Sequence, residues 1–331
     1  MSLRRSTSAL AATLALAIGT SCADSATQPS PGRPTTPTPI DETVSSAPPS
    51  PRTPMPSPVT RRPTPSALTP PTADLVAMAA TIKALTRIGP REATSTAYAT
   101  AADYTEARLR ALGYQVRRQS VPVPAGTWQS FRLRAGTTTN LVAALPTLSS
   151  TQPRLLVGAH LDTVPDSPGA NDNASGVAAL LELARLAAAS RSQPAIVFIV
   201  FGGEEPRRPR GSHFGSKAYA ATLDDTARRT YRGMISLDAV GTGSILPVCR
   251  GRRLSDRFSA AVVRRAKEVA VSVTECTSRA SDHLSFEDVD LPAVVIGGRP
   301  YSQYHTIRDR PSVLRLETIA AAVRLTWAVM R

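Results

Sequence analysis

Apolar positions after residue 73 alternate between helical spacing and short buried runs. Apolar residues spaced three and four apart predict amphipathic helices, whereas short continuous or alternating runs predict strands. The predicted helices cover residues 74–85, 95–112, 177–188, 257–269 and 313–330. The predicted strands cover residues 114–121, 140–145, 155–158, 195–201, 234–238 and 293–296. We expect Ser175 to cap the helix at 177–188 and Gly113 to end the helix at 95–112.

The order of these elements predicts the fold class. Strands and helices alternate, as they do in doubly wound α/β proteins whose sheet has substantial parallel character. Residues 195–201 are apolar without interruption, which is typical of a strand covered on both faces. We therefore predict an α/β fold in which helices cover a central sheet.

The segment before residue 73 differs in composition from the rest of the chain. Residues 1–22 combine early arginines, a short apolar run and small residues before Cys22, which predicts an export signal of lipoprotein type. Cys22 would then carry the membrane anchor; a cleaved, soluble product and an uncleaved anchor are the alternatives. Residues 23–72 are rich in Pro, Ser and Thr and predict a disordered, semi-rigid tether. The predicted folded domain is residues 73–331.

The net charge of +14 raises the question of a nucleic-acid partner. The basic residues are almost all Arg, are dispersed along the chain and are not interleaved with aromatic residues. Nucleic-acid-binding domains cluster such residues. We therefore expect no nucleic-acid partner and interpret the charge as that of an envelope protein facing anionic surfaces.

Three cysteines are present, and Cys22 belongs to the predicted export signal. The chain has no Cys-x-x-Cys pair, which argues against a thiolate zinc site. In an exported protein, the remaining pair predicts a disulfide between Cys249 and Cys276.

Acidic and imidazole residues stand where the predicted strands end. In chain order these residues are His160, Asp162, Glu204, Glu205, Asp238 and His305. Asp172 lies in the Gly- and Pro-rich turn before the helix at 177–188. Because ligands bind at the carboxyl ends of strands in open α/β sheets, these side chains predict a metal site.

Five of these side chains fit two metal ions. One ion can take His160, Asp172 and Asp238, and the other can take Asp172, Glu205 and His305, with Asp172 bridging the two. Nitrogen and carboxylate ligands without thiolates suit zinc, with manganese or cobalt as substitutes. Two such ions can activate a water for hydrolysis.

Two acidic residues remain outside the ligand set. Glu204 is free to act as the general base that takes a proton from the water. His160 and Asp162 are two residues apart, so on extended backbone their side chains point to the same side. Asp162 can then accept a hydrogen bond from the imidazole and fix its tautomer.

These motifs resemble those of the two-zinc aminopeptidases of peptidase family M28, which are bacterial secreted metallopeptidases. The family pattern appears in order as His160-Leu-Asp162, residues 169–176, Glu204-Glu205, residues 237–241, Ser281-Asp-His283 and Tyr304-His-Thr306. The resemblance covers residues 73–331 and implies the ligand sets above, Glu204 as base and Tyr304 as a donor to the oxyanion. It also implies a three-layer fold with a central, mostly parallel mixed β-sheet between helices.

The resemblance predicts a zinc-dependent aminopeptidase, active as a monomer on peptide substrates outside the cytoplasm. The alternatives on the same fold are a carboxypeptidase or dipeptidase and a glutaminyl cyclase. A catalytically inactive binding module is the alternative of a different class. The complete ligand set and Tyr304 before His305 disfavour the cyclase, and the filled base position at Glu204 disfavours an inactive module.

One segment departs from the family pattern. Residues 206–214 form a longer, Arg-rich link after Glu205, and we interpret it as a solvated charge run rather than as a wall of the substrate cleft. His213, within this link, is expected to be a hydrogen-bonded residue outside the ligand positions. Asp282 and His283 are expected to brace the site rather than to bind metal.

Overall fold

The computed structural model describes residues 72–149, 151–298 and 301–331. The predicted export signal with Cys22, and the tether up to residue 71, lie outside these residues. The helices are α1 (Leu75–Ile88), α2 (Thr96–Ala111), α3 (Gly176–Ala189), α4 (Phe214–Ala220), α5 (Asp225–Thr230), α6 (Asp256–Glu268), α7 (His283–Glu287) and α8 (Leu316–Met330). The strands are β1 (Gln115–Val123), β2 (Gly126–Trp128), β3 (Phe131–Leu133), β4 (Gly136–Ala144), β5 (Arg154–His160), β6 (Ile196–Phe201), β7 (Tyr231–Asp238), β8 (Leu246–Arg250), β9 (Val273–Thr277) and β10 (Ala293–Gly297).

Eight of the strands form one mixed sheet in the order β1-β4-β6-β5-β7-β10-β8-β9. The pairs β6–β5, β5–β7, β7–β10 and β8–β9 are parallel. The pairs β1–β4, β4–β6 and β10–β8 are antiparallel. Strands β2 and β3 form a separate two-stranded hairpin. The predicted mixed, mostly parallel sheet is confirmed.

Both faces of strand β6 are buried, which explains why its sequence is apolar throughout. Ile196, Phe198 and Val200 belong to the core that includes residues of α1, α2, α3, α6 and α8. Val197, Ile199 and Phe201 belong to a second core, which includes residues of α4 and α7. Because successive side chains of a strand point to opposite faces, the two cores lie on the two sides of the sheet. This arrangement is the predicted three-layer α/β fold.

Two predicted helix starts differ from the structure. Ser175 already has helical backbone angles (φ −65°, ψ −45°) and makes no side-chain capping hydrogen bond to α3. Its hydroxyl instead donates to the carbonyl of Asn171 at 2.7 Å and accepts from the N–H of Val240 at 3.0 Å. Helix α8 begins at Leu316 because the residues before it are extended and Pro311–Val313 form a separate 3-10 turn.

Cys249 and Cys276 are joined by the expected disulfide, which links paired residues of β8 and β9. Their Cα atoms are 4.4 Å apart. Within the three described stretches, no helix combines the length and apolar character needed to cross a bilayer.

Candidate metal centre

The five predicted metal ligands lie together at one edge of the sheet. His160 and Asp238 end strands β5 and β7, and Glu205 follows β6. Asp172 lies in the turn Ala170–Ser175 before α3, and His305 follows β10. Because these strands run parallel to one another, their carboxyl ends meet at this edge. The structure thus brings together the side chains that the sequence analysis selected.

Two groups of donor atoms share Asp172. Nε2 of His160 lies 3.1 Å from Oδ1 of Asp172 and 3.5 Å from Oδ1 of Asp238. Nε2 of His305 lies 3.0 Å from Oδ2 of Asp172 and 3.1 Å from Oε2 of Glu205. Asp172 therefore presents one carboxylate oxygen to each group.

The chemistry of these donors fits a divalent metal. Oδ2 of Asp172, both carboxylate oxygens of Glu205 and Nε2 of His305 are buried and have no hydrogen-bond partner among the described residues. Buried polar atoms without a partner are rare and call for an ion or a water. The donors of each group lie within 4.8 Å of one another, and tetrahedral zinc holds its nitrogen and oxygen ligands about 3.3 Å apart. Imidazole and carboxylate donors therefore form a site suited to zinc.

Negative charge dominates the centre. Burial opposes a charge on His160, but the neighbouring carboxylates, led by Glu204, outweigh it and hold the pKa of this imidazole well above its usual value. Burial also opposes a charge on His305, whose pKa the carboxylate of Glu205 and its neighbours raise to about 10. A divalent cation supplies the positive charge that this cluster attracts.

Asp162 is buried beside the centre, but its carboxylate does not hold His160 as predicted. Nδ1 of His160 lies 3.2 Å from the backbone carbonyl oxygen of Asp162 and 3.8 Å from its carboxylate Oδ1. The two carboxylate oxygens instead accept hydrogen bonds from the backbone N–H groups of Glu204 and Glu205, each at 3.1 Å. The predicted hydrogen bond between the imidazole and this carboxylate does not form, because both carboxylate oxygens are taken by these N–H groups. Asp162 fixes the turn that carries Glu204 and Glu205.

Glu204 lies next to the predicted metal ligands and is buried. Its carboxylate forms a further cluster of donor atoms with His160 and Glu205. Burial raises the pKa of Glu204 to about 8, against the opposing charge of His160. A carboxyl group with a pKa near neutrality can both take and return a proton.

The family model of peptidase family M28 matches residues 140–330, more than half of the chain. The five predicted ligands and Glu204 lie within this segment. The chain belongs to peptidase family M28. As an M28 member it is a metallopeptidase.

Three curated relatives resemble this M28 peptidase in sequence. The uncharacterized protein YfbL of Escherichia coli is 28% identical over 262 residues, which cover 67% of this chain and 76% of that protein. The probable lipoprotein aminopeptidase LpqL of Mycobacterium tuberculosis is 35% identical over 40% of this chain and 25% of its own length. The aminopeptidase YwaD of Bacillus subtilis is 32% identical over 53% of this chain and 40% of its own. The match thus spans less than half the length of LpqL and of YwaD.

Solved structures share the fold of the M28 peptidase. BSAP, a zinc aminopeptidase from Bacillus subtilis, superposes with a TM-score of 0.67 at 19% identity and covers 77% of this chain and 93% of its own. A glutaminyl cyclase from Bacteroides thetaiotaomicron superposes with a TM-score of 0.66 at 22% identity and covers 79% of this chain and 98% of its own. Because both chemistries occur on this fold, the fold by itself does not distinguish them.

The Arg-rich link of the M28 peptidase is not uniformly solvated. The side chain of Arg207 is only 2% exposed and forms an ion pair with Glu92. Its guanidinium also donates to the carbonyl oxygens of Pro124 and Arg134, at 3.0 and 2.7 Å. These two carbonyls flank the β2–β3 hairpin, so Arg207 closes the base of the hairpin. The prediction of a solvated charge run is wrong for Arg207, because its guanidinium is buried and pairs with groups of the protein instead of water.

The hairpin brings an aromatic side chain to His305. The ring of Trp128 meets the ring of His305 edge-on, with centroids 4.9 Å apart. The ring of Tyr304 stacks on His305 with centroids 3.7 Å apart and remains 41% exposed. Both aromatic residues therefore restrict the orientation of His305, one of the predicted metal ligands. Trp128 was missed in the sequence because its contact depends on the hairpin, which has strands of only three residues.

His213 is buried and lies beside Glu204. Its Nε2 is 2.9 Å from Oε1 of Glu204. The expectation that it lies outside the ligand positions agrees with the structure, since it belongs to none of the donor groups found in the described residues. No local pattern indicates the contact with Glu204, because the link between the two residues turns back on itself. The N–H of His213 donates a hydrogen bond to the carbonyl oxygen of Glu204.

Arg91 was also missed, although it supports both ligand-bearing loops. Its fully buried guanidinium donates to the carbonyl oxygens of Leu161, Pro168 and Gly169 at 2.9, 2.8 and 3.1 Å. Burial lowers the pKa of Arg91 to about 10, so the group stays charged at neutral pH. Leu161 lies between His160 and Asp162, and the other two carbonyls belong to the loop that leads to Asp172.

Asp309 fixes the turn of Asp172 from the opposite side of the loop. Its carboxylate accepts hydrogen bonds from the backbone N–H groups of Asn171 and Asp172 at 2.9 and 3.0 Å. The hydroxyl of Tyr301 donates to the same carboxylate at 2.7 Å. The position of Asp172 is therefore set by its backbone, which leaves both of its side-chain oxygens free for metal.

Asp282 and His283 are fully buried and take no part in the donor groups that the described residues form. Burial and the charge of Glu204 raise the pKa of Asp282 to about 7. Nε2 of His283 lies 3.2 Å from the carbonyl oxygen of Ser278. Their expected role in bracing the site stays a prediction.

Proposed function

We propose that this M28 peptidase is an aminopeptidase with two zinc ions. The observation that carries the proposal is the position of the Asp172 carboxylate. Its two oxygens face separate groups of donor atoms. His160 and Asp238 would complete one site, and Glu205 and His305 the other. The zinc aminopeptidase BSAP, which shares the fold, supports the choice of metal and reaction.

The side chains around the centre have distinct proposed roles in hydrolysis. Divalent ions held by these residues would lower the pKa of a water molecule and would polarise the scissile carbonyl group. Glu204 takes the proton from that water and delivers it to the leaving amine. Asp162 holds the backbone of Glu204 in place while the proton moves. Burial raises the pKa of Tyr304, so its hydroxyl stays protonated and is the proposed donor to the oxyanion.

A panel of chromogenic aminoacyl substrates tests the reaction. We expect hydrolysis of substrates with a free α-amino group, loss of activity with a chelator and recovery with zinc. The N-acetylated form of each substrate is the matched control, because an aminopeptidase requires the free amine. Equal cleavage of the acetylated substrates would contradict an aminopeptidase. A peptide with N-terminal glutamine separates the two chemistries of the fold, since hydrolysis releases free glutamine and cyclisation releases ammonia.

We also infer that the peptidase is exported and held at the cell envelope through Cys22. The lipoprotein-type pattern before Cys22 supports this proposal, as does the disulfide between Cys249 and Cys276, since disulfides persist in oxidising compartments. The relative LpqL is itself described as a lipoprotein aminopeptidase. Labelled palmitate should enter the protein, and Cys22→Ser should abolish the label; an unlabelled but secreted wild-type protein would favour the cleaved, soluble product.

A further inference from the structure

His213 touches the proposed base through both its backbone and its side chain. Its N–H donates to the carbonyl oxygen of Glu204 at 2.9 Å. Its Nε2 lies 2.9 Å from the carboxylate Oε1 of the same residue. Both residues are 8% exposed, so water competes little for this contact.

The hydrogen positions on the imidazole follow from its neighbours. Burial lowers the pKa of His213, so the ring is neutral at pH 7 and carries one N–H. Nδ1 lies 3.0 Å from the hydroxyl of Ser212, which can donate to it. To act as the base, Glu204 must start as an ionised carboxylate, which can only accept. In that state the N–H belongs on Nε2, which lies 2.9 Å from Oε1 of Glu204.

The backbone of His213 is held firmly in this position. It has a φ of 61°, a left-handed conformation that is uncommon for residues with a Cβ atom. Its carbonyl oxygen accepts hydrogen bonds from the N–H of Lys217 at 3.0 Å and the hydroxyl of Ser216 at 3.3 Å. Although His213 precedes helix α4, its side chain makes no capping hydrogen bond to that helix. The imidazole is thus committed to Ser212 on one side and Glu204 on the other.

We propose that His213 is a positioning residue for the general base: its Nε2–H holds Oε1 of Glu204 and leaves the other carboxylate oxygen to exchange the proton with water. This inference rests on the proposed role of Glu204. An oriented carboxylate can take the proton without first rotating. The orientation should therefore raise kcat and leave KM, which reports substrate binding, unchanged. Ser212 acts one step further away, by fixing the tautomer of His213.

Two substitutions of similar size test the proposal. His213→Met fills the space without a donor, whereas His213→Gln restores an N–H near the position of Nε2; both carry the same backbone cost at φ 61°. We expect His213→Met to lower kcat about 10- to 100-fold, with unchanged KM and unchanged metal content. His213→Gln should recover most of the lost kcat. Wild-type kcat in His213→Met, or equal losses in both variants, would overturn the proposal.

A second variant tests the proposal if His213→Met does not fold, because it leaves the His213 imidazole in place. Ser212→Ala keeps the imidazole but removes the hydroxyl that fixes its tautomer. We expect kcat to fall about threefold to tenfold, again with unchanged KM and metal content. Unchanged kcat in Ser212→Ala would then overturn the proposal.

The failure of this inference is distinguishable from the failure of the proposed function. If the wild-type protein cleaves none of the aminoacyl substrates, the proposed function falls. If Glu204→Gln keeps its activity, Glu204 is not the base, and its proposed role falls together with that of His213. If Glu204→Gln is inactive and His213→Met has wild-type kcat, only the role of His213 falls.

Discussion

Oδ1 of Asp162 accepts a hydrogen bond from the backbone N–H of Glu204 at 3.1 Å. The second oxygen of the same carboxylate accepts from the next N–H, that of Glu205. One buried side chain thus sets the positions of the proposed base and of a proposed metal ligand. Because both hydrogen bonds involve a charged acceptor in a buried setting, they are of the stronger kind.

Asp162→Asn should impair both functions of this carboxylate. The amide group replaces one acceptor by a donor, so one of the two N–H groups loses its partner. We expect the free energy of unfolding to fall by about 1–3 kcal/mol and kcat to fall about 10- to 100-fold. Denaturant unfolding and steady-state kinetics measure the two effects. Asp225→Asn, the same change at an exposed carboxylate of α5, is the control and should leave both unchanged.

Glu204→Gln should separate metal binding from proton transfer. The amide cannot take a proton from water, so we expect kcat to fall about 100- to 10,000-fold. The metal content per chain should stay at the wild-type level, since Glu204 belongs to neither proposed ion site. Elemental analysis and kinetics on the same preparation make the comparison. Near-normal turnover would remove Glu204 from the mechanism.

Asp172 contributes one oxygen to each donor group. Substituting it should therefore remove more metal than substituting a residue that belongs to one group only. Asp172→Asn weakens both donor groups, and we expect both ions to be lost. Asp238→Asn weakens one group only, and we expect about one ion to remain, because Glu205 and His305 still complete the other site with Asp172. Metal per chain is measured after dialysis against buffer without zinc. Identical metal content in the two variants would contradict the bridging role.

Arg207→Met should loosen the hairpin that carries Trp128. The substitution leaves the carboxylate of Glu92 and two backbone carbonyls without their donor. We expect a loss of about 1–3 kcal/mol in the free energy of unfolding and a higher KM, because the hairpin meets the ring of His305. The matched control is Arg208→Met, which removes an exposed guanidinium one residue away. An effect of the same size in the control would show that overall charge, and not the hairpin, is responsible.

Removal of the disulfide should affect stability more than catalysis. Cys249 and Cys276 are separated by 27 residues, and closing a loop of that length stabilises a folded protein by about 3.5 kcal/mol. Strands β8 and β9 lie at the end of the sheet, beyond β10. We expect the Cys249→Ala/Cys276→Ala double variant to unfold at lower denaturant concentration and to keep its kcat when folded. Two free thiols in the unreduced wild-type protein would contradict the pairing.

The main elements of the fold could be predicted because their signals are local. The continuous apolar run of β6 and the helical spacing of α1 and α2 are visible within short windows. The alternation of strands and helices then places the ends of β5 and β7 at one edge, which is why His160 and Asp238 could be grouped before the structure was known.

The contacts that support the site could not be predicted, because they join distant parts of the chain. Arg91 reaches Leu161 across 70 positions, and Arg207 reaches Glu92 across 115. No local pattern marks such contacts. The hydrogen bonds of Asp162 also join distant positions, since Glu204 and Glu205 lie 42 and 43 residues further along the chain.

The buried guanidinium of Arg91 determines how short a fragment of the chain can be and still be active. Residues 140–330, the segment that matches the family, contain every proposed ligand and the proposed base. They do not contain Arg91, whose hydrogen bonds hold the backbone at Leu161 and Gly169. They also lack Trp128. A fragment cut at residue 140 would therefore keep the ligands and lose the residues that hold their loops in place, so a minimal active fragment must begin before Arg91.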